Sequence, residues 1–411
     1  MSSTYLAFAI PFFIILMLAE YYVAKKRKLN AFNLHNSIAN VSIGIAERLT
    51  DILVSGSFYF LYDYLQHRFG IFHIKAGVVI WILLLLLTDL IWYWYHRLAH
   101  EVNLFWVVHV VHHQSEEFNY TVSARITVLQ ALVRTGFWCI LPIIGFPASM
   151  ITVMLLIHGL YPFFVHTRVV GKLGILEKFM VTPSHHRVHH ACNEHYLDKN
   201  YGDVFIIWDK LFGTFAEEDE EPVYGLTKQL RTYSFLWQHF HFLIELFITV
   251  KAQSSLKNKF KVIFGSPNLI DPKARDKAER IFSVKQTKVK LHEGLNSYVI
   301  WQIVLLMICV SGFIFFETHL SNAFKLLFTT FTILSLINCG AIMEQKKWVF
   351  NVEFLRLLTI ISIVWPYCAG IPLSTFAIAI SLLLLVLFYR TVQSRYLAVV
   401  YADDQNSKAV L

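Results

Sequence analysis

The sequence predicts an all-α, polytopic integral membrane bundle, and three features support this fold class. Of the 411 residues, 56% are hydrophobic and only 16% are charged, against about 25% charged in an average soluble domain. Aromatic residues are abundant, with 35 Phe, 19 Tyr and 10 Trp, and this excludes an intrinsically disordered chain. The apolar residues also fall into runs long enough to cross a hydrocarbon layer of about 30 Å as helices.

The first two apolar runs predict membrane helices of different character. Tyr5 to Val23 is continuous and is followed by the basic run Lys25 to Lys28. Because the charges follow the apolar stretch, this run is predicted to be a retained anchor with its N-terminus outside. Ile38 to Tyr64 contains embedded charges such as Glu47 and Asp51, so one of its faces is expected to look into the bundle or to lie at the interface.

The next runs predict a further span and a helical hairpin. Gly77 to Tyr95 is strongly apolar and runs directly into His96. Val128 to Ile144 and Ala148 to Val165 are separated by the turn signal Gly145 to Pro147. We therefore expect this pair to cross and return.

The remaining sequence alternates once more between polar and apolar character. From His166 to Ser297 the chain is polar, with an acidic run at Glu217 to Glu221, and this is the predicted main extramembrane segment. Four further apolar runs close the chain: Val299 to Phe316, Ala323 to Met343, Phe354 to Ile371 and Thr375 to Tyr389.

The net charge of +8 is attributed to the membrane rather than to nucleic acid, because basic residues collect on cytoplasmic loops and at anionic headgroups. With the N-terminus outside, the basic clusters and the histidine-rich regions all fall on one predicted face. This places them on the cytoplasmic side of a bacterial inner membrane or of the endoplasmic reticulum. The basic residues concerned are Lys25 to Lys28, Lys346, Lys347, Arg390 and Arg395.

Histidine is the residue type that indicates the chemistry. Eleven of the 19 histidines lie between His96 and His190. Histidines three or four residues apart share one face of a helix, with Cβ atoms about 5–6 Å apart. One HxxxH group and two HxxHH groups supply eight imidazoles, more than the four ligands of one tetrahedral zinc ion, so two metals are implied. The eight are His96, His100, His109, His112, His113, His186, His189 and His190.

The residues alone leave the metal and the class of function open. Neutral imidazole binds Fe, Zn, Cu and Ni, although a site at the ends of membrane helices, within reach of lipid and O₂, favours a redox metal. A metal transporter or storage protein is the non-enzyme alternative. Against it, the C-terminal apolar runs carry almost no charge that would mark a permeation path.

The order HxxxH, HxxHH, HxxHH resembles the fatty acid hydroxylase and sterol desaturase superfamily of membrane di-iron oxygenases. Four stretches resemble its alkylglycerol branch more narrowly: Trp94 to Asn103, Thr182 to His190, Asp198 to Gly202 and Trp208 to Phe215. The resemblance extends from about Phe58 to Gly225.

The resemblance implies two iron ions held by histidines, O₂ as co-substrate, and hydroxylation or desaturation of a membrane lipid. For the alkylglycerol branch it also implies tetrahydrobiopterin as reductant and cleavage of an ether lipid. The alternative is a hydroxylase or desaturase of sterols, carotenoids or fatty acyl chains that takes electrons from a partner protein. We then expect N-terminal membrane helices in 1–76, a fatty acid hydroxylase-type catalytic domain in 77–240, an extramembrane linker in 241–298, and C-terminal membrane helices and tail in 299–411.

Further site residues are expected around the eight histidines. In the superfamily, the position of His166 often supplies an additional metal ligand, and a plain interfacial histidine is the alternative. Glu101 is the candidate catalytic carboxylate; it or Asp89 could orient a ligand imidazole, and a helix-end charge is the alternative for both. Tyr201 and Trp208 are the aromatic candidates for stacking on a pterin, although their segment could instead be a packed cap over the metals. For His158 we expect a packed or hydrogen-bonded position in the core.

Overall fold

The structure is a computed structural model that describes residues 4–284, 293–368, 370 and 372–401. These residues form α-helices and short 3₁₀ turns, and no strand occurs among them. The predicted tail beyond residue 401 and the predicted end of a run at Ile371 lie outside the described residues. The helices are, in chain order, α1 (Thr4–Lys26), α2 (Leu34–Phe69), α3 (Val78–Glu101), α4 (Asn103–His109), α5 (Tyr120–Ser123), α6 (Gln130–Phe137), α7 (Ile140–Ile144), α8 (Ala148–Val165), α9 (Pro183–His189), α10 (Ile207–Phe212), α11 (Phe235–Lys251), α12 (Leu256–Phe264), α13 (Ala274–Ile281), α14 (Glu293–Phe316), α15 (Asn322–Met343), α16 (Val349–Cys368), α17 (Pro372–Leu387) and α18 (Tyr389–Val400).

The predicted all-α membrane fold is confirmed by these helices. Within the described residues, five are long and apolar enough to cross a membrane: Val78–Glu101, Ala148–Val165, Glu293–His319, Asn322–Met343 and Val349–Pro366. The last predicted run, Thr375 to Tyr389, ends earlier than expected, because the chain bends by 82° between Thr375–Leu387 and Tyr389–Val400. Helix α2 is not among the five, and the crossing of α1 stays a prediction.

The described residues form two compact units. The larger unit takes Phe12–Leu230 and Trp237–Lys285, and the smaller unit takes Met1–Pro11, Arg231–Leu236 and Gln286–Leu411, each in its described part. The larger unit includes residues from the first three predicted regions, and the division into four regions stays a prediction. All the candidate site residues lie in the larger unit.

Helix α2 packs closely against the chain around α5. A Cβ on Gly44 would stand 2.7 Å from the carbonyl oxygen of Ala124, so only glycine permits this approach. Asn40, one turn earlier, donates to Thr121 Oγ1 at 3.0 Å and accepts from Arg125 at 2.9 Å. The polar residues of α2 therefore fix the segment that follows the HxxHH histidines.

Both arms of the predicted hairpin are helical, with the first arm broken into α6 and α7 and too short to be among the five candidate spans, so that its crossing stays a prediction. Gly145 adopts a φ of 124° at the turn, a conformation that side chains disfavour. Backbone bonds from Ile71 to Ile143 (2.9 Å) and from Phe72 to Ile144 (3.0 Å) hold the turn beside the end of α2. The hairpin packs on α3 in one core cluster that includes Tyr95, Trp138 and Phe146, and α3 and α8 both end at the histidine site.

The smaller unit contains polar contacts between its apolar helices. Gln302 on α14 donates to Asn338 on α15 at 3.2 Å, and Arg356 on α16 donates to Ser335 at 3.0 Å and to Glu353 at 2.8 Å. This ion pair lies in the first two turns of α16, where the sequence-based expectation was an almost uncharged span.

Candidate metal centre

The nine predicted metal ligands converge into two groups. The ligand nitrogens in each group lie within 4.8 Å of one another, and every member except the half-buried His100 is buried. Histidines that are adjacent in sequence belong to different groups: His112 and His113 are divided in this way, and so are His189 and His190. Group A consists of His96, His100, His109, His113 and His189, and group B of His112, His166, His186 and His190.

Most of these histidines lie at or near the ends of helices. His96 and His100 lie one turn apart at the end of α3, and α4 ends at His109. Helix α9 begins with Thr182 as its N-cap and Pro183 in its first turn, a capping arrangement that fixes where the helix starts. At about 100° per residue, His186 and His190 are about 40° apart around the helix, whereas His189 is about 100° from its neighbour His190, which explains their separation.

The distances between ligand nitrogens fit metal coordination. In group A, His109 Nε2 lies 3.0 Å from His96 Nε2 and 3.1 Å from His113 Nε2. In group B, His166 Nε2 lies 3.0 to 3.2 Å from the Nε2 atoms of the other three members. Two ligands bound at about 2.1 Å and at right angles lie about 3.0 Å apart. Both groups have this spacing.

The tautomers in group B favour a cation between the rings. His166 Nδ1 donates to the Pro162 carbonyl at 2.5 Å, and His112 Nδ1 donates to the Arg125 carbonyl at 3.2 Å. In neutral imidazole the other nitrogen then carries a lone pair. The two lone pairs face each other, with Nε2 atoms 3.1 Å apart, and a bound cation would relieve their repulsion.

Group A contains buried ring nitrogens without a hydrogen-bond partner. His189 donates through Nδ1 to the Lys199 carbonyl at 2.9 Å, and its Nε2 is buried and unpartnered. His100 Nε2 is likewise buried and unpartnered, while its Nδ1 lies 3.7 Å from Asp198 Oδ1. His96 donates through Nδ1 to the Tyr201 carbonyl at 2.8 Å. Orphaned imidazole nitrogens of this kind are suited to ligate a metal.

The ligands that lie outside the membrane spans are held in the neutral imidazole form, which is the form that binds metals. Burial lowers the pKa of His166 to about 4. Burial, followed by repulsion between imidazoles, holds the pKa of six further ligands well below its usual value; they are His109, His112, His113, His186, His189 and His190. These side chains are neutral near pH 7 and have a free lone pair for a metal.

One loop supplies the carbonyls that accept hydrogen bonds from the Nδ1 atoms of His96 and His189 in group A. This loop is held in place by buried side chains. In this loop, residues 198–209, Asp209 accepts from the backbone N–H groups of Tyr201 and Gly202, each at 2.7 Å. Asp198 and Asn200 adopt φ of 59° and 55°, the left-handed region that Asp and Asn tolerate better than most residues. The loop therefore carries its backbone carbonyls to His96 and His189.

A second buried cluster links this loop to two membrane helices. His158 on α8 lies 2.9 Å from Asp89 on α3 and 2.5 Å from Asp203. Asp89 also accepts from Val204 N at 2.9 Å, Phe205 N at 3.0 Å and Trp208 Nε1 at 2.9 Å. These four contacts use the hydrogen-bonding sites of the Asp89 carboxylate. The cluster is therefore better suited to bridge α3, α8 and the loop than to bind a metal.

The remaining candidate residues lie outside the two groups. Glu101 is exposed and pairs with Arg97 at 2.9 Å rather than with an imidazole. Asp89 orients His158, which belongs to neither group. Tyr201 is fully buried, with ring centroids 5.3 to 6.1 Å from three group A imidazoles. Trp208 is half-buried and keeps some exposed surface.

Comparison with known proteins agrees with this geometry. A family profile described as fatty acid hydroxylase matches residues 81–214, which include all nine histidines. Alkylglycerol monooxygenase from Homo sapiens is 35% identical over 361 residues, covering 86% of this chain and 81% of the relative. The chain belongs to the alkylglycerol monooxygenase family. The Danio rerio member is 32% identical over 365 residues, covering 86% of this chain and 80% of the relative.

More distant relatives match a smaller part of the chain. Ornithine lipid hydroxylase from Rhizobium tropici is 30% identical over 124 residues, 30% of this chain and 38% of the relative. No solved structure gives a significant match. Membership of the alkylglycerol monooxygenase family makes the protein an oxidoreductase, a membrane-embedded, metal-dependent monooxygenase that acts on lipid. The predicted superfamily and enzyme class are confirmed.

Proposed function

We propose that groups A and B hold two iron ions, and that the protein hydroxylates the ether-linked carbon of an alkylglycerol lipid with O₂ and a tetrahydropterin. The observation that carries the metal assignment is the convergence of unprotonated Nε2 atoms in each group. Iron is favoured among imidazole-binding metals because the relatives are named as monooxygenases and hydroxylases.

The proposed chemistry is balanced as a monooxygenation. Two iron ions would supply O₂ activation, with one oxygen atom entering the C–H bond next to the ether oxygen and the other leaving as water. The reductant provides two electrons and two protons. The hydroxylated carbon is a hemiacetal, which then breaks at its carbon–ether oxygen bond to give an aldehyde and a free glycerol hydroxyl.

The chain's own residues orient the ligands and enclose the site. The Phe118 ring stacks on His166 with centroids 5.5 Å apart, and Tyr224 stacks on Phe118 at 5.0 Å. Arg187 holds Glu218 through two contacts of 2.6 Å, which fastens the acidic segment beside α9. Excluding water in this way directs the oxidant to a lipid C–H bond.

The reductant is proposed to dock on the extramembrane side of group A. Of the two aromatic candidates, Trp208 is half-buried, whereas Tyr201 is fully buried and flanked by imidazoles. We expect Trp208→Leu to raise the KM for tetrahydropterin more than it lowers kcat, and Tyr201→Phe to leave that KM unchanged. Glu101 pairs with Arg97 in the structure, and its candidate role as the catalytic carboxylate is tested by Glu101→Gln, which should then lower activity without lowering iron content.

The function is tested with purified full-length protein. We expect two equivalents of bound iron and release of fatty aldehyde from a 1-O-alkylglycerol, and this release should depend on tetrahydropterin. With ¹⁸O₂, the newly formed aldehyde should carry one ¹⁸O atom as its carbonyl oxygen. Activity with reduced ferredoxin alone at the same rate would replace the pterin assignment with the alternative of a protein electron donor. Retention of zinc without any oxygenase activity would contradict the proposal as a whole.

The site is proposed to face the cytoplasm. Arg27, in the basic run after α1, donates to the Val169 carbonyl at 2.6 Å, and Arg168 donates to the Asn30 carbonyl at 3.2 Å. The basic run therefore lies beside the chain that follows His166, and positive charge collects on cytoplasmic faces. In a cysteine-free background, Glu194→Cys should resist an impermeant reagent added outside intact cells and Asn322→Cys should react; the reverse pattern would invert the topology.

A further inference from the structure

Helix α12 exposes an apolar stripe that the histidine chemistry does not use. Leu256, Phe260 and Phe264 are 73%, 60% and 54% exposed. They are four residues apart and so lie within about 80° of one another on the helix. The rings of Phe260 and Phe264 stack, with centroids 6.0 Å apart and planes at 8°. A continuous exposed apolar surface of this kind indicates a binding surface or a membrane contact.

Basic residues flank this stripe. At about 100° per residue, Lys257 and Lys261 lie beyond one edge of the apolar stripe, and Lys259 lies beyond the other edge. The sequence contains no Asp or Glu between Glu245 and Asp271, a stretch that also includes Lys251. In the described part of the chain, none of the four lysines forms an ion pair with a carboxylate. Three lysines on an amphipathic helix, with Lys251 at the end of the preceding helix α11, suit anionic lipid headgroups.

The depth of α12 follows from its attachment to a membrane span. Asn103, two residues beyond the end of α3, donates through Nδ2 to the carbonyls of Val262 at 2.8 Å and Ser266 at 3.0 Å. Its backbone N–H donates to Gly265 at 2.8 Å. The C-terminal end of α12 is thus fixed at the level where α3 leaves the apolar layer.

The opposite face of α12 packs next to the metal site. Val262 lies roughly opposite the apolar stripe and is buried in a cluster with Val107 and Val108. These valines belong to α4, the helix that ends at the group A ligand His109. Helix α12 therefore packs on the helix that presents this ligand, and its apolar stripe faces away from that helix.

We propose that α12 lies in the lipid–water interface and binds anionic phospholipid. The apolar stripe enters the acyl-chain region, and the lysines contact phosphate oxygens, the arrangement typical of interfacial amphipathic helices. The contact holds α4 at a fixed depth beside the bilayer from which a lipid substrate enters. This proposal does not depend on which lipid is oxidised or on the reductant.

The experiment places an environment-sensitive fluorophore on full-length protein in nanodiscs. The label is attached at Phe260→Cys or, as the control on another face, at Asn258→Cys, each in a background without other reactive cysteines. We expect the label at 260 to be quenched by iodide about threefold less than the label at 258, and to be quenched more by brominated phosphatidylglycerol than by brominated phosphatidylcholine.

The lysines are tested separately from the apolar stripe. The double variant Lys257→Gln and Lys261→Gln should make quenching at 260 equal for the two brominated lipids, and the corresponding double Arg variant should keep the preference. Replacing Lys273 and Lys277 by Gln removes equal charge from the neighbouring α13 region and should also keep it.

Two results would overturn the proposal. Equal iodide quenching at positions 258 and 260 would place the stripe in water. Protection at 260 that persists in lipid-free detergent and increases with protein concentration would mean that a second copy of the chain covers it. A label at Leu256→Cys repeats the measurement on the same stripe if the Phe260→Cys variant does not fold.

Discussion

Groups A and B differ in what holds their outer ring nitrogens. In group A, the partners of His96 and His189 are carbonyls of one loop, which depends on the Asp209 carboxylate for its position. In group B, His166 uses the carbonyl of Pro162, four residues earlier on its own helix, and His112 uses the carbonyl of Arg125. His96 and His189 of group A are thus oriented by carbonyls of a single loop, whereas His112 and His166 of group B are oriented by carbonyls of two separate segments.

Because of this difference, we expect that metal can be lost from one group while the other group keeps its metal. The Pro162 carbonyl lies in the last turn of α8, where carbonyls lack an intrahelical partner, so it needs no further side chain to aim it. The Arg125 carbonyl belongs to a residue whose side chain is held by Asn40, Gln114 and Gln238. The group A carbonyls are aimed only while the 198–209 loop is held. Substitutions in the side chains that hold this loop should therefore release metal from group A before group B.

The largest effect is expected from the ligands themselves. His189→Ala should remove the metal of group A and His166→Ala that of group B, each lowering activity by about a hundredfold or more. Metal analysis should find about one equivalent in each variant. His195→Ala is the matched control, because this partly exposed histidine pairs with Asp219 and Glu220. Full metal content in both ligand variants would remove the two-metal assignment.

A smaller effect, confined to group A, is expected from Asp209→Asn. The amide keeps the shape but cannot accept both backbone bonds, so the loop should loosen and metal affinity at group A should fall by about 10- to 100-fold. This affinity is measured as the rate at which a chelator removes the metal. The kinetic phases of groups A and B are assigned from His166→Ala and His189→Ala, each of which should retain the metal of one group only. Equal acceleration of both phases would show that the two groups are not independently oriented.

His158→Gln should have a weaker effect of the same kind. It breaks the bridge from Asp89 to Asp203, while Asp209 still holds the loop near Tyr201, so we expect about a tenfold faster loss of metal from group A. The purified variant should still contain as much metal as the unmodified protein. Loss of a whole additional equivalent would instead make Asp89, His158 and Asp203 a third metal site.

The smallest effect is expected on group B from Phe118→Leu. Removing the ring stacked on His166 costs about 0.5–1.5 kcal/mol, or a two- to tenfold faster loss of metal from group B. Phe212→Leu is the control, since that ring stacks on Tyr93 at 5.1 Å, away from group B. If Phe118→Leu instead releases metal from group A, the assignment of the chelation phases is wrong.

Much of the fold and the positions of the histidines could be predicted from the sequence. Apolar runs predicted the ends of the five candidate spans to within six residues, because hydrophobicity depends on side chains alone. The outer partners of the histidines could not be found in this way, since the carbonyls of Lys199, Tyr201, Arg125 and Pro162 leave no residue signature. The one available signal was the pairing of Asp198 with Asn200, two residue types suited to a tight left-handed loop.

Two other features were missed because they join distant parts of the chain. Asp89 was expected to orient a ligand, yet its partner is His158, 69 residues away. The Trp208 indole was considered as a pterin contact, and the structure shows that it donates to that same carboxylate. Side-chain pairing over such separations depends on how α3 and α8 pack, which local patterns do not encode.

The position of the 198–209 loop in the chain also bears on biosynthesis. Translation has produced all nine ligands once His190 has emerged, and the acceptors on Arg125 and Pro162 are already available to group B. Group A still lacks its acceptors at that stage, and the loop is secured only when Asp209 follows. In the order of synthesis, the acceptors of His112 and His166 thus precede those of His96 and His189, and a metal bound during synthesis would meet the group B acceptors first.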